Sequence, residues 1–178
     1  MHENITIDAG DIAPADTVRK IRRLVTAVDA DGRSYIAQDE ASPHVRVIAS
    51  TPTFVISELW RADAIPVDNT GPIDDGLSHI ELSPPSEGAI FRTVEFPPDS
   101  HWLENPAAPP DQVHTTASID FAIVISGSIW AVTDNDERLM GPGDVLIQRG
   151  TRHSWSNRGT ESAIVAFVLV AGTTATQP

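Results

Sequence analysis

At 178 residues, 40% of them hydrophobic, the chain has the length and composition of one globular domain with a sizeable core. The formal charge of −13, from 12 Lys+Arg against 25 Asp+Glu, and the absence of any basic stripe exclude a phosphate-backbone partner. With no cysteine there is no disulfide, thiolate ligand or cysteine nucleophile, and no apolar run approaches the roughly 18 residues of a membrane helix.

In chain order, residues 1–21 read as a partly ordered polar arm and residues 22–178 as a single barrel domain whose motif core is 108–170. The N-terminus has neither a basic region nor an apolar core of a signal peptide, so a soluble cytoplasmic protein is expected. Residues 17–24 have the composition for one short helix. Residues 24–28 and 34–37 are β-rich and flank Asp29-Ala30-Asp31-Gly32, a hairpin pattern in which Gly32 takes the positive φ of the turn. Further strands are predicted at 45–48, 54–60, 90–96, 119–126, 128–133, 144–148 and 163–170. Pro- and Gly-bearing turn clusters separate them, as in a β-sandwich or barrel. Residues 63–85 are too long and polar for a simple turn and read as a capping or functional loop.

The chemistry concentrates between His114 and Asn157. Strand side chains alternate faces, so Asp120, Ala122 and Val124 share one face, and His153 and Trp155 another. A straight strand would hold His114 and Asp120 about 20 Å apart. The two share a site only if the chain reverses near Ala117-Ser118. Gly150 permits a tight turn, after which His153 opens a strand.

The spacing His114-x-Thr116, three residues, Asp120, six residues, Gly127 resembles the first motif of the cupin superfamily, His-x-His, three or four residues, Glu, six residues, Gly. Gly143, Gly150, His153 and Asn157 resemble its second motif. The departures are Thr116 for the second histidine, Asp120 for the glutamate, Gln148 for a proline, and a gap one residue short after Gly143. The resemblance implies an all-β, double-stranded β-helix (cupin or jelly-roll) barrel with an N-terminal hairpin and arm. It also implies a homodimer, with Phe121, Ile123 and Ile125 facing outward onto the N-terminal strands or a second subunit.

In that family the motif residues hold one divalent metal (Fe, Mn, Ni or Zn). Here His114, Asp120 and His153 are the candidate ligands, two imidazoles and one carboxylate. Three readings stay open: such a metal site, buried hydrogen-bonded histidines without a role, or a metal-free site in which Asp120 orients an imidazole for acid–base chemistry. His114, Asp120 and His153 are accordingly the candidate catalytic residues. Thr116, Trp155, Trp130, Phe167 and Arg92 are the candidate substrate contacts, Arg92 as a carboxylate clamp if it faces inward and as a solvent-facing charge otherwise. An apolar lumen with few polar groups suits a small molecule, an organic acid or a cyclic or aromatic metabolite. The expected function is a small-molecule enzyme of the oxygenase, decarboxylase, isomerase or lyase type. A non-catalytic binding barrel that has lost its metal is the alternative.

Overall fold

The computed structural model describes residues 12–70, 80–103 and 112–175. Eleven strands are present among these: β1 Arg22–Val28, β2 Ser34–Ala41, β3 Val45–Ile48, β4 Thr51–Ala62, β5 Ala89–Phe96, β6 Ser118–Ser126, β7 Ile129–Thr133, β8 Glu137–Met140, β9 Val145–Arg149, β10 His153–Ser156 and β11 Ala163–Ala171. Six make one antiparallel sheet in the order β3-β4-β5-β11-β6-β9, three make a second, β10-β7-β8, and β1-β2 form a separate hairpin. This is the jelly-roll, double-stranded β-helix architecture expected from the sequence.

The core lies between the two larger sheets. Ile48, Phe54, Ile56, Phe96, Val124, Ile129, Met140, Val165 and Leu169 all pack into one buried cluster. Strand alternation accounts for it: along β6 the residues Ser118, Asp120, Ala122 and Val124 are buried, whereas Phe121, Ile123 and Ile125 are exposed. Ile125 borders a groove shared with Leu24 and Val25 of the hairpin. The hairpin turn is the one expected, with Gly32 at φ 79°.

Gly127 is required where β6 turns into β7. Its φ is 71°, and a Cβ there would stand 2.5 Å from the Ser162 carbonyl oxygen.

Two differences from the sequence-based reading have simple causes. The short helix expected at 17–24 does not form. Ile21 instead leads into β1, whose pairing with β2 overrides a weak local preference. The short strand β8, absent from the predicted strands, forms because it pairs antiparallel with β7. Of the loop at 63–85, residues 71–79 lie outside the described residues, as do 1–11 of the arm.

Candidate active site in the barrel

Two short stretches of backbone meet to build the site. His114 and His153 face each other as an antiparallel pair, each N–H donating to the other's carbonyl oxygen at 2.9 Å. The pairing brings the two rings together, tilted at 55° with centroids 4.4 Å apart. Gly150, at φ 58°, makes the turn that brings β10 back to this position. Gln148 stands where the cupin pattern has proline. Its buried amide donates to both the carbonyl and the hydroxyl of Thr151, so hydrogen bonds hold the turn that a pyrrolidine ring would otherwise stiffen. Asn157 closes the second motif structurally. It is buried, donates to Phe96 O and Glu161 O, and accepts from Gly159 N.

The chain bends at Ala117, as the spacing requires, and carries Asp120 to the same cavity. Ser118 Oγ donates to Asp120 Oδ1 at 2.5 Å and lies 2.8 Å from Thr116 Oγ1, which is 3.4 Å from Asp120 Oδ2. Thr116 is therefore turned towards the carboxylate. Asp120 does not orient either imidazole by hydrogen bonding, contrary to the acid–base reading of the sequence. The orientation comes from backbone: His114 Nδ1 lies 2.9 Å from Gln112 O, and His153 Nδ1 lies 2.9 Å from Thr151 O. A carbonyl oxygen only accepts, so each Nδ1 carries the proton and each Nε2 presents a lone pair.

Burial lowers both imidazoles below their ordinary pKa. For His153 the neighbouring His114 adds to burial, and the value falls to about 4 against a smaller opposing effect of the Thr151 carbonyl. His114 is lowered by burial, with the Gln112 carbonyl and the Asp120 charge acting against it. Asp120 is raised by burial, while Ser118, Thr116, His114 and Arg92 all pull it back. Both rings are thus neutral at pH 7, and His114 is the one whose protonated form has a carboxylate nearby.

Unfolded His153 binds its proton near pH 6.5 and folded His153 only near 4, so acid favours the unfolded chain through that window. Its contribution is fully present above pH 6.5 and is lost as the pH falls towards 4. Between pH 7.5 and 5.0 the expected loss is about 2 kcal/mol. Urea midpoints at both pH values check this: the loss should shrink in His153→Gln, and an equal loss in both proteins would refute it.

The cavity enclosing this group has a volume of about 80 Å³, room for several waters or a small ligand. Its wall includes Ile48, Phe54, Ile56, Leu82, Phe96 and Leu169. Trp155 and Phe167 line it as expected and meet edge to face at 5.3 Å, with Trp155 also edge-on to His153 at 6.5 Å.

Two predicted contacts are corrected. Trp130 is not a lumen residue. On β7 the buried positions are Ile129 and Ala131, so Trp130 lies on the other face, where the Arg158 guanidinium sits 4.6 Å from its ring and in turn pairs with Glu137. Arg92 does face inward and borders the cavity, but it is neither solvent-facing nor free to clamp a substrate carboxylate. It is 3% exposed and bonds both oxygens of Glu58, itself 1% exposed, at 3.2 and 2.9 Å. It also donates to Glu81 O and Leu82 O. A charge buried in a sheet has to be paired, and Glu58 is its cross-strand neighbour.

The donor set falls short of the metal centre that the resemblance implies. The two Nε2 atoms suit a divalent transition ion, but a threonine hydroxyl stands at the third imidazole's position. Among the described residues no three His, Cys, Asp or Glu side chains are grouped so that they could hold a metal ion. These residues do not fit a resident metal as arranged. Zn²⁺ or Ni²⁺ titrated into the protein is expected to bind at least about tenfold more tightly after Thr116→His, which supplies the missing imidazole. Calorimetry showing unchanged affinity would count against that reading of the site.

Gln112 was not legible in the sequence as a site residue. It precedes the first motif, and only the fold places it in the cavity wall.

Sequence comparison finds relatives named for a cupin domain. No family model matches the chain. A cupin-domain-containing oxidoreductase of Neurospora crassa, srdD, is 30% identical over 164 residues, covering 88% of this chain and 78% of the relative. A phomopsin biosynthesis cluster protein of Diaporthe leptostromiformis, C', is 32% identical over 147 residues, covering 79% and 72%. The cupin-domain-containing oxidoreductase virC of Hypocrea virens is 29% identical over 164 residues, covering 88% and 79%. Among solved structures, the cupin domain of Schizosaccharomyces pombe Cnp3 aligns over 86% of this chain and 89% of its own, at 15% identity and a TM-score of 0.46. The chain belongs to the cupin superfamily. Among the described residues no helix is long and apolar enough to cross a membrane.

Proposed function

We propose that the protein is a small-molecule enzyme whose barrel moves a proton on a cyclic or aromatic metabolite, with His114 as general base. The observation that carries this is the paired imidazoles, both Nδ1-anchored to backbone carbonyls and both presenting Nε2 in a cavity with an apolar wall. Relatives named as oxidoreductases and as a phomopsin biosynthesis cluster protein support an enzyme of small-molecule biosynthesis. At about 30% identity their names do not carry the reaction type across.

The chain's own residues account for one step. His114 Nε2 takes a proton from a carbon next to a substrate carbonyl, and the electron pair of the broken C–H bond delocalises onto the carbonyl oxygen as an enolate. Asp120 stabilises the imidazolium that forms, because the two charges lie in a cavity largely shielded from water. His153, the weaker base of the pair, stays neutral and keeps His114 in place through their backbone pairing. Where the enolate is conjugated to a further double bond, returning the proton to the γ-carbon isomerises the substrate; where the imidazolium first swaps its proton with water, returning it to the same carbon exchanges that hydrogen with solvent.

Exchange offers a direct test that needs no natural substrate. A ring ketone such as cyclohexanone, incubated with the protein in D2O, is expected to gain α-deuterium faster than in buffer alone. Exchange at the buffer rate would sink the proposal. The expected homodimer is kept as part of it, formed through the exposed outer face that carries Phe91, Phe121, Ile123, Val145 and Ile147.

A further inference from the structure

We propose that the side-chain amide of Gln112 is the recognition donor of this cavity and that the substrate is an uncharged molecule offering it an acceptor oxygen. The inference rests on the cavity being the substrate site and adds the substrate's chemical class.

Gln112 Nε2 is buried and has no hydrogen-bond partner among the described residues. An amide withdrawn from water without a partner costs about 1–3 kcal/mol, so folded proteins rarely leave one. Among the described residues Arg61 Nη1 is likewise buried without a partner, but Arg61 does not line the histidine cavity. Gln112 does line it. Moreover, its backbone carbonyl is the group that accepts from His114 Nδ1, so one residue holds the base and supplies the unspent donor. An oxygen of a bound molecule satisfies that donor.

The charges around the cavity decide what kind of molecule this is. Its guanidinium, Arg92, is committed to Glu58 and to two backbone carbonyls. Its carboxylate, Asp120, repels an anion and is already engaged by Ser118 and Thr116. An anionic ligand would therefore enter an apolar cavity without an available counter-charge, and a cation would draw on the carboxylate that stabilises the imidazolium formed at His114. A neutral carbonyl compound meets neither penalty. Its oxygen pairs with Gln112, and its ring lies against Trp155, Phe167 and Leu169.

Three probes of similar shape test this on the full-length chain by ¹H–¹⁵N spectra: cyclohexanone, methylenecyclohexane and cyclohexanecarboxylate. The ketone is expected to bind about three- to tenfold more tightly than the methylene isostere, the range of one hydrogen bond. It should also outbind the carboxylate. The Gln112 side-chain amide resonances should move with the ketone and not with the alkene, a readout that needs no variant. Gln112→Met should bring the ketone down to the affinity of the alkene and leave the alkene unchanged. A ketone preference that survives Gln112→Met, equal wild-type affinities for ketone and alkene, or tighter binding of the carboxylate would each overturn the inference while leaving the cavity as the substrate site. If no probe shifts the resonances of Thr116, His153 or Trp155, the cavity assignment falls as well.

Discussion

Replacing His114 by glutamine is expected to slow enzyme-catalysed exchange of the ring ketone's α-hydrogens by about 10²- to 10⁴-fold, the usual worth of a positioned general base. Glutamine keeps a donor near the Gln112 carbonyl but has no basic nitrogen. The pH dependence separates this role from a structural one. Because burial lowers the imidazole, wild-type exchange should be level through neutral pH and decline only in acid, below the ordinary histidine value of 6.5. Removing the charge at Asp120 with Asp120→Asn takes away an influence that raises His114. The acid limb should then move to still lower pH. The rate should fall too, since the imidazolium formed in the step loses its stabilising charge. His153→Gln should cost less than His114→Gln, because it removes a neighbour rather than the base. The result that refutes the assignment is a His114→Gln protein that folds, binds ketone and exchanges at the wild-type rate. Acid limbs that coincide in wild type and Asp120→Asn would refute the part given to Asp120.

The second large effect is on stability. Arg92→Met is expected to destabilise the fold by about 3–5 kcal/mol. Glu58, 1% exposed and already raised in pKa by burial against the pull of Arg92, would be left in the sheet without its partner. The same change removes the donors to Glu81 O and Leu82 O, so the segment bearing Leu82 loses its tether at the cavity wall. Against a typical total of about 5–15 kcal/mol, such a loss is close to unfolding. The penalty belongs to the orphaned charge rather than to the attraction itself. Pairing Arg92→Met with Glu58→Leu should therefore recover most of it, since an apolar pair of similar volume carries no desolvation cost. Urea denaturation of the wild type, both single variants and the double variant measures the coupling. A single variant within 1 kcal/mol of wild type would show that the pair does not support the sheet.

Much of the architecture could be read from residue order, because strand alternation is a local rule. Ser118, Asp120, Ala122 and Val124 point inward and Phe121, Ile123 and Ile125 outward, as the period of two requires. Gly127 and Gly150 mark positive-φ turns whose places set the spacing of both motifs. His114, Asp120, His153, Trp155 and Phe167 meet in one cavity for the same reason. Register across strands, by contrast, is not written in any one segment. Arg92 reads as clamp or surface charge until β4 is laid beside β5 and puts Glu58 opposite it. Trp130 reads as pocket wall until Ile129 and Ala131 take the buried face of β7.

Sequence alone thus determined the β-rich pattern, the turn positions and the identity of the groups able to do chemistry, since each depends on a residue and its near neighbours. Tertiary structure alone decided which of those groups are already spent on one another: Arg92 on Glu58, Ser118 on Asp120, the histidine Nδ1 protons on backbone carbonyls. It also brought to the cavity wall a group the sequence did not single out, the amide of Gln112, and left it without a partner among the described residues. A polar group is available to a ligand only when the fold supplies it no partner, and partners come from strands distant in the chain.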